Sequence, residues 1–298
     1  MRGSTAGPGS RRLALGTVQF GRAYGVANND GQVPFEVVDA ILERAKRGGI
    51  DTLDTAVAYG TSEQVLGRRG VAEWRIVTKL PPLPPDVSDV GGWVSREIAG
   101  SLTRLNVSRL QGLMLHRPSD LLGASGAEYR AALYAARDSG AVESLGVSIY
   151  SPSELDALWP VFQPTLVQAP LNVLDRRLIR SNWLERLQAE RVRVHTRSAF
   201  LQGLLLMPGE RRPHYFRPWS HLLDNWTAWC RDAGCSPLRA AIGFPLSQPG
   251  VERVVVGVDS VAQLEEILDA AGPGCIAPPD ELHSDDLALL EPSRWKLS

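Results

Sequence analysis

The stretch DTLDTAVAYGTSEQVLGRRGVAEWRIVTKL, residues 51–80, carries the pattern that decides the fold. Two short apolar runs, at residues 51–56 and 75–80, flank a segment with helical periodicity at residues 62–70. Near-continuous apolar runs separated by an amphipathic helix are typical of parallel strands that are buried on both faces. The stretch therefore predicts a strand–helix–strand unit of a parallel sheet.

The same alternation extends in both directions along the chain. Further strand candidates cover residues 13–18, 111–116, 144–149, 165–170, 193–198 and 253–258. Helical patterns between them include residues 35–49, which end at a glycine pair, and residues 93–105. Eight such units in about 260 residues predict an α/β fold of the (β/α)₈ TIM barrel type. A doubly wound open sheet is the alternative, but it favours a GxGxxG turn after its first strand, and residues 16–25 (GTVQFGRAYG) do not match.

The interval between the last two predicted strands is longer than the others. It contains LQGLLLMPGERRPHYFRPWS at residues 201–220, followed by helical patterns at residues 222–234 and 236–248. We expect a long loop and extra helices after strand seven, without a domain boundary. Residues 1–12 are expected to form a flexible N-terminal lead-in, and residues 13–298 a single barrel domain that includes the C-terminal tail.

Composition excludes several classes of protein. With 44% apolar and 22% charged residues, the 298-residue chain is not globally disordered. Its 32 basic and 33 acidic residues give no electrostatic reason to expect nucleic acid or a membrane surface as a partner. No apolar run approaches the ~20 residues that cross a bilayer, and the first ten residues lack a secretory signal. We expect a cytoplasmic protein with a small-molecule partner, and the sequence leaves its oligomeric state open.

The three cysteines have no metal-ligand spacing. Cys230 and Cys235 lie five residues apart, and Cys275 is distant from both. An odd count without further ligands favours neither an extracellular disulfide framework nor a metal site. We therefore expect ordinary structural thiols and no bound metal.

Polar side chains stand where the predicted strands end. They are Asp54, Lys79, His116, Ser148, Gln168 and Ser198. In a barrel the carboxyl ends of the strands surround the mouth, where active sites of this fold lie. Each residue alone has a structural explanation, such as a turn cap, a solvated strand end or a core histidine. Together with Tyr59 they are costly to bury unless they pair with one another, which favours a functional site.

The motifs around these residues resemble those of the aldo-keto reductase superfamily. LDTAVAYG (53–60), VTKL (77–80) and LMLHRP (113–118) are similar to its strand-two, strand-three and strand-four motifs, in that order. The resemblance covers roughly residues 13–271, and three further segments resemble the family's cofactor-binding segments: GVSIYS (146–151), VQAPLN (167–172) and VGVDSVAQLEEIL (256–268). EPSRW (291–295) and QFGRAYGVAN (19–28) resemble a branch often found near bacterial carbohydrate and polysaccharide pathways.

The resemblance implies NAD(P)H-dependent reduction of an aldehyde or ketone to an alcohol, with a carbohydrate-related carbonyl compound among the candidate substrates. Hydride addition to a carbonyl develops negative charge on oxygen, which needs a proton and a hydrogen-bond donor. Tyr59 is the implied general acid, and Lys79 is expected to lower its pKa from the free value near ~10. Asp54 is expected to balance Lys79, and His116 to orient the carbonyl oxygen.

The resemblance also implies which residues hold the cofactor, NADP(H) or NAD(H). They are Gly16, Thr17, Ser148, Gln168, Arg197, Ser198, Gly257, Val258, Asp259, Ser260 and Gln263. Ser148 and Gln168 match positions that hold the nicotinamide carboxamide, and Arg197 stands where the family often stacks an aromatic ring on the nicotinamide. The segment from Gly257 to Gln263 lacks basic residues for a 2′-phosphate, and Asp259 would repel one. We expect a weakened preference for NADPH and use of NADH.

The basic loop after strand seven has two interpretations. Arg211 and Arg212 either fold over the cofactor pyrophosphate or an anionic substrate, for which arginine is suited, or belong to a solvated surface.

Two other classes of function stay open. One is a lyase, epimerase or isomerase that uses Lys79 for a Schiff base. Tyr59, Asp54 and His116 in matched positions argue against it, since no such lysine needs all three. The other is a cofactor-binding regulatory barrel without turnover, since barrels also host non-catalytic functions.

Overall fold

The computed structural model describes residues 7, 9–26, 28, 31–272 and 277–297. Within these residues, parallel strands close into a barrel in chain order, and the last strand pairs with the first. The strands are β1 Leu13–Gly16, β2 Thr52–Asp54, β3 Arg75–Leu80, β4 Gly112–Leu115, β5 Leu145–Ser148, β6 Leu166–Pro170, β7 Arg193–Arg197 and β8 Val251–Gly257. The predicted (β/α)₈ barrel is confirmed, and all eight strands fall on or beside the expected segments.

Helices surround the barrel and connect its strands. They are α1 Val18–Gly21, α2 Phe35–Arg47, α3 Ser62–Arg69, α4 Val90–Leu105, α5 Gly126–Asp138, α6 Ser153–Leu158, α7 Arg177–Arg180, α8 Trp183–Ala189, α9 Ser220–Asp232, α10 Pro237–Ser247, α11 Val261–Ala270 and α12 Leu287–Leu290. Shorter 3₁₀ helices cover Ser10–Arg12, Pro118–Leu122, Leu201–Leu206, Gly209–Arg211, His214–Trp219, Asp280–Leu282 and Pro292–Arg294. None of the helices in the described ranges combines the length and the apolar character that a bilayer crossing requires.

The barrel interior has an apolar layer below its polar upper end. Val77, Met114 and Leu166 form a separate buried cluster there, apart from the large core between the strands and the helices. Glycines make the space for Leu166, because a Cβ on Gly146 would lie 2.4 Å from its carbonyl oxygen and one on Gly112 would lie 2.9 Å from its Cδ2. This layer fills the middle of the barrel and leaves the polar side chains at the carboxyl ends of the strands.

The long connection between β7 and β8 has the predicted composition of loop and helices. Three short 3₁₀ helices precede α9 and α10. Arg212 fastens this loop to α9, since its guanidinium donates to Asp224 at 2.7 Å and to Thr227 Oγ1 at 2.9 Å. The contacts of Arg212 therefore support a role in holding the loop on α9, whereas Arg211 is exposed.

Residues near the amino-terminal end of the barrel include part of the predicted lead-in. Residues 1–6 and 8 lie outside the described ranges, whereas Ser10–Arg12 form a 3₁₀ turn directly before β1. Arg12 donates to the carbonyl oxygen of Leu246 at 2.5 Å and to that of Val251. These bonds hold residues 10–12 against the start of β8.

The expectation of three ordinary thiols is wrong for Cys235, which is disulfide-bonded. The spacing of cysteines along the chain does not reveal which of them approach one another in the fold. The disulfide bond of Cys235 was therefore not predictable from the sequence. Cys230 is a buried free thiol, and burial raises its pKa to about 12. Cys275 lies outside the described residues.

Candidate active site

A buried ion pair forms the base of the site. Asp54 ends β2, and Lys79 lies near the end of the adjacent β3. Lys79 Nζ donates to Asp54 Oδ1 at 2.6 Å and to the carbonyl oxygen of Thr55 at 3.0 Å. Both side chains are buried, and burial lowers the pKa of Lys79 while Asp54 opposes that shift. A buried ammonium is tolerated here because a carboxylate and a carbonyl oxygen satisfy it.

Gln168 completes the hydrogen bonding of Asp54. Its Nε2 donates to Asp54 Oδ2 at 2.7 Å, so both carboxylate oxygens have buried partners. Gln168 lies on β6, across the barrel from β2, and pairs in register with Ser148 on β5. The amide nitrogen predicted to face a nicotinamide carboxamide is thus bonded to Asp54. Sequence reasoning missed this contact, because 114 residues separate the two partners.

Tyr59 stands in the loop after β2 and contacts the other groups. Lys79 Nζ lies 5.3 Å from the centroid of its ring, and the ring centroid of His116 lies 5.8 Å away at an interplanar angle of 61°. A close backbone approach fixes the loop, because a Cβ on Gly21 would lie 1.7 Å from the carbonyl oxygen of Tyr59. The phenol, ammonium, carboxylate and imidazole expected to meet at one end of the barrel do lie together there.

A hydroxyl network below the loop supports this position. Thr17 Oγ1 donates to the carbonyl oxygen of Asp54 at 3.0 Å, and Ser62 Oγ lies within hydrogen-bond distance of both Thr17 Oγ1 and Thr55 Oγ1. All three hydroxyl side chains are buried. The Thr17 side chain therefore ties the Tyr59 loop to β1, and the cofactor contact predicted for it is not available to that side chain.

Burial and the Asp54 carboxylate raise the pKa of Tyr59, and the charge of Arg197 opposes that shift. The expected lowering of the phenol pKa is wrong, because burial and the nearby Asp54 carboxylate both raise it. Tyr59 is consequently a protonated phenol over the physiological pH range.

His116 follows β4 and is partly exposed. Burial, followed by the charge of Lys79, lowers its pKa to about 4. At neutral pH the imidazole is uncharged and has one N–H to donate. It stands beside Tyr59 as a neutral hydrogen-bond donor.

Arg197, the last residue of β7, reaches across the mouth. Its Nη2 donates to the carbonyl oxygen of Ile149 at 3.0 Å and its Nη1 to Ser198 Oγ at 3.3 Å. The guanidinium lies 4.6 Å from the centroid of the Tyr150 ring. Arg197, which stands where the family often stacks an aromatic ring on the nicotinamide, thus lies against the Tyr150 ring. Neither Tyr150 nor the nearby Tyr24 was predicted to approach it, because both belong to loops.

The segment after β7 departs from ordinary backbone geometry. Ser198, Leu201 and Gln202 have φ values of 61°, 47° and 53°, in the left-handed region that favours glycine. Asn172 Nδ2 holds the carbonyl oxygen of Ser198 at 3.0 Å, and Gln202 Nε2 donates to the Tyr24 hydroxyl at 3.3 Å. Such conformations persist where surrounding contacts enforce them, and they are frequent at binding sites.

The segment after β8 forms an ordered helix start at the same end of the barrel. Ser260 Oγ accepts from the Gln263 backbone N–H at 3.2 Å, and Gln263 Oε1 accepts from the Asp259 N–H at 2.8 Å. Asn28 Nδ2 donates to Asp259 Oδ1 at 2.9 Å, which links the β1 loop to this segment. The side chain of Val258 is buried in the core and is not presented to the mouth.

Gly16 and Gly257 pair in register where β1 and β8 end. A Cβ on Gly257 would lie 2.5 Å from Gln19 Nε2, so this glycine allows the Gln19 side chain to lie over the strand end. Ser148 is buried at the end of β5. The residues predicted to bind a cofactor thus surround one opening, although Thr17, Val258 and the Gln168 amide nitrogen have buried structural contacts.

The barrel, its polar upper end and the sequence define one protein family. The family model described as the aldo/keto reductase family matches residues 12–272, and the chain belongs to this family. Membership implies an oxidoreductase that acts on carbonyl compounds, and the family generally uses NAD(P)H.

Relatives and solved structures agree with this assignment. The aldo-keto reductase YhdN of Bacillus subtilis is 23% identical over 291 residues, covering 88% of this chain and 85% of YhdN. The structure of PA4992, an aldo-keto reductase from Pseudomonas aeruginosa, is similar with a TM-score of 0.65 at 25% identity, covering 88% and 89% of the two chains. The holo form of aldo-keto reductase AKR11C1 from Bacillus halodurans has the same fold, with a TM-score of 0.72 at 19% identity over 95% of each chain.

Proposed function

We propose that the protein reduces an aldehyde or ketone to an alcohol, with NADPH or NADH as hydride donor and Tyr59 as general acid. One observation carries the proposal: the Tyr59 ring lies 5.3 Å from Lys79 Nζ and 5.8 Å from the His116 ring, above a Lys79–Asp54 pair joined at 2.6 Å. A protonated phenol beside a neutral imidazole matches the two donors that a developing alkoxide requires.

The residues around the opening fit a nicotinamide dinucleotide. The Ser148 hydroxyl and the Gln168 carbonyl oxygen are suited to hold a carboxamide at the barrel mouth. The ten-residue helix α11 has Ser260 at its N-cap and no acidic residue in its first turn, which suits a phosphate group. When bound, the cofactor supplies the hydride.

Side chains of the protein supply the proton and orient the carbonyl oxygen that receives it. The raised pKa of Tyr59 keeps its hydroxyl protonated, so that a proton is available to the carbonyl oxygen. The neutral His116 imidazole donates its N–H to the same oxygen and orients the carbonyl. After proton transfer the charge of Arg197 stabilises the phenolate. A positioned general acid of this kind contributes about 10²–10⁴ in rate.

The charge near α11 bears on the choice between the two dinucleotides. Asp259 precedes the helix, and Asn28 holds its carboxylate in place at 2.9 Å. A carboxylate there disfavours a 2′-phosphate and is able to accept a hydrogen bond from a ribose hydroxyl. We therefore expect NADH to be used nearly as well as NADPH. A preference for NADPH of about 100-fold in kcat/KM, equivalent to about 2.7 kcal/mol, would contradict this.

Cofactor binding and turnover, measured separately, test the function. Quenching of tryptophan fluorescence by NADPH and NADH reports binding. Loss of reduced-cofactor absorbance with a panel of aldehydes, ketones and reducing sugars reports turnover. Carbonyl-dependent oxidation supports the proposal, whereas cofactor binding with no oxidation across the panel would favour the regulatory barrel.

The Schiff-base alternative has its own test. A lysine that attacks a carbonyl must present its amine to the substrate, whereas Lys79 is fully buried and its Nζ is bonded to Asp54 and to the carbonyl oxygen of Thr55. Borohydride treatment with a bound carbonyl compound should leave Lys79 unmodified. A reduced adduct on Lys79, found by peptide mass spectrometry, would replace the oxidoreductase proposal with a Schiff-base mechanism.

A further inference from the structure

Arg197 is an arginine without an acidic partner at the mouth of the site. Its guanidinium donates one hydrogen bond to a backbone carbonyl oxygen and one to a hydroxyl, and a guanidinium has five N–H donors. In the described part of the chain, ion pairs join other arginines to carboxylates, but none includes Arg197. The site therefore has donor capacity and a positive charge that no carboxylate of the described residues balances through an ion pair.

The other charges of the site do not compensate Arg197. Lys79 and Asp54 form a pair that is neutral as a unit, and Gln168 holds the second carboxylate oxygen. Arg197 is close enough to the pair and to His116 that its charge contributes to lowering the pKa of Lys79 and of His116. A net positive charge thus lies beside the position of the carbonyl group.

Two exposed aromatic rings accompany the guanidinium. Tyr150 is 42% exposed and has the guanidinium over its ring, while Tyr24 is 37% exposed and is held by Gln202. Stacking on Tyr150 fixes the plane of the guanidinium, and the bond to Ile149 fixes its rotation. A preorganised guanidinium presents its remaining N–H groups in the fork geometry that a carboxylate accepts.

We propose that Arg197 binds a carboxylate of the substrate, so that the substrate class is an oxo acid: an aldehyde or ketone that also carries a carboxylate group. Tyr24 and Tyr150 contact the part of the molecule between the two groups. This inference rests on the proposed carbonyl reduction and adds a specificity-determining residue to it. Arg197 selects the substrate, and Tyr59 protonates it.

Two substrates that differ only in charge test the inference. 4-Carboxybenzaldehyde and 4-formylbenzamide share the ring and the reacting carbonyl, but only the first carries a carboxylate. The wild-type protein should prefer the acid by about tenfold or more in kcat/KM. Arg197→Met should remove the preference, mainly through KM for the acid, and Arg197→Lys should retain part of it, because lysine keeps the charge but not the fork.

A matched control variant and measurements of cofactor binding distinguish a role of Arg197 in substrate binding from a role in cofactor binding. Arg109→Met removes an exposed arginine ahead of β4, at the opposite end of the barrel, and should leave the preference unchanged. Arg197→Met should raise KM for the acid far more than it changes the dissociation constants of NADPH and NADH. Weaker cofactor binding in Arg197→Met, with the preference for the acid intact, would assign Arg197 to the cofactor and overturn the inference.

Binding of benzoate, with benzamide as its neutral counterpart, needs no turnover. Benzoate binding that Arg197→Met abolishes supports the carboxylate site, even if no carbonyl compound is reduced and the proposed function fails. Reduction of carbonyl compounds without a charge preference, together with no benzoate binding, would overturn the carboxylate site and leave the proposed function intact. The two claims therefore fail in different ways.

Discussion

The two ends of the barrel carry the same kinds of charged side chain and use them differently. At the amino-terminal end, Arg253 lies 3.3 Å from the half-exposed Asp51, and Arg193 donates to Ser144 Oγ at 2.5 Å. At the carboxyl end, Lys79 and Asp54 are buried. Charged side chains that water can reach cost little free energy. Buried charged side chains are costly unless each of them has a counter-ion or a hydrogen-bond partner. The end with the costly arrangement is the end at which we place the chemistry.

Replacement of Tyr59 by phenylalanine should have the largest effect on activity. The ring and its packing remain, but the proton donor is lost, so kcat should fall by about 10²–10⁴. Cofactor quenching of tryptophan fluorescence should persist. Tyr134→Phe, on α5 beside Phe162, serves as the matched control and should leave kcat unchanged. Normal turnover by Tyr59→Phe would remove the general-acid assignment.

Removing one cationic side chain at each end of the barrel should lower the free energy of unfolding by different amounts. Lys79→Met leaves the Asp54 carboxylate buried without its counter-ion, and should lower the free energy of unfolding by about 3–5 kcal/mol. Arg109→Met at the amino-terminal end breaks a pair with Glu143 in which both side chains are exposed, and should cost about 0–1 kcal/mol. Urea denaturation at neutral pH measures both. Equal losses would show that the two ends do not differ in the way their contacts indicate.

Loss of one amide at each end makes the same comparison at a smaller scale. Gln168→Leu removes the buried bond to Asp54 Oδ2 and should cost about 1.5–3 kcal/mol, as expected for a hydrogen bond to a charged group. Gln111→Leu removes an exposed bond to Glu143 at the amino-terminal end and should change stability by less than about 0.5 kcal/mol. If Gln168→Leu lowered the free energy of unfolding no more than Gln111→Leu, the result would contradict a stabilising role for the buried bond from Gln168 to Asp54.

His116 should produce an effect that is visible only in the pH dependence of stability. Its pKa is about 4 in the folded protein and about 6.5 in an unfolded chain. Between these values the unfolded chain binds more protons, so this residue makes stability fall as pH decreases from about 6.5 to 4. The fall should be shallower in His116→Gln, which cannot titrate. Denaturation midpoints that fall in parallel for both proteins would contradict the lowered pKa.

Much of the fold followed from local patterns in the sequence. The run predicted at residues 75–80 is the strand β3, and the helix predicted at residues 35–49 ends at Arg47 before its glycine pair. The strand predicted at residues 51–56 ends earlier, at Asp54, because Thr55 begins the loop that carries Tyr59. Periodicity indicates which residues are buried, but the point where a chain leaves the sheet depends on contacts made elsewhere.

The site also has features that the sequence predicts and features that depend on contacts between distant segments. Residues at neighbouring strand ends were predictable as a group, because parallel strands bring their carboxyl ends to one rim. The bond from Gln168 to Asp54 and the stacking of Arg197 on Tyr150 were not, because they join distant segments across the mouth. The raised pKa of Tyr59 was also missed, since it depends on the burial of the phenol and on its distance from Asp54 in the folded chain.

Transfer of a label from cofactor to product tests the central claim most directly. Excess protein is mixed with a reduced cofactor that carries deuterium at the hydride position, together with a carbonyl compound, and the product is analysed by mass spectrometry. Our account predicts an alcohol with one deuterium on the former carbonyl carbon, formed far more slowly by Tyr59→Phe. A product without the label, or a cofactor that stays reduced while the carbonyl compound is consumed, would contradict it.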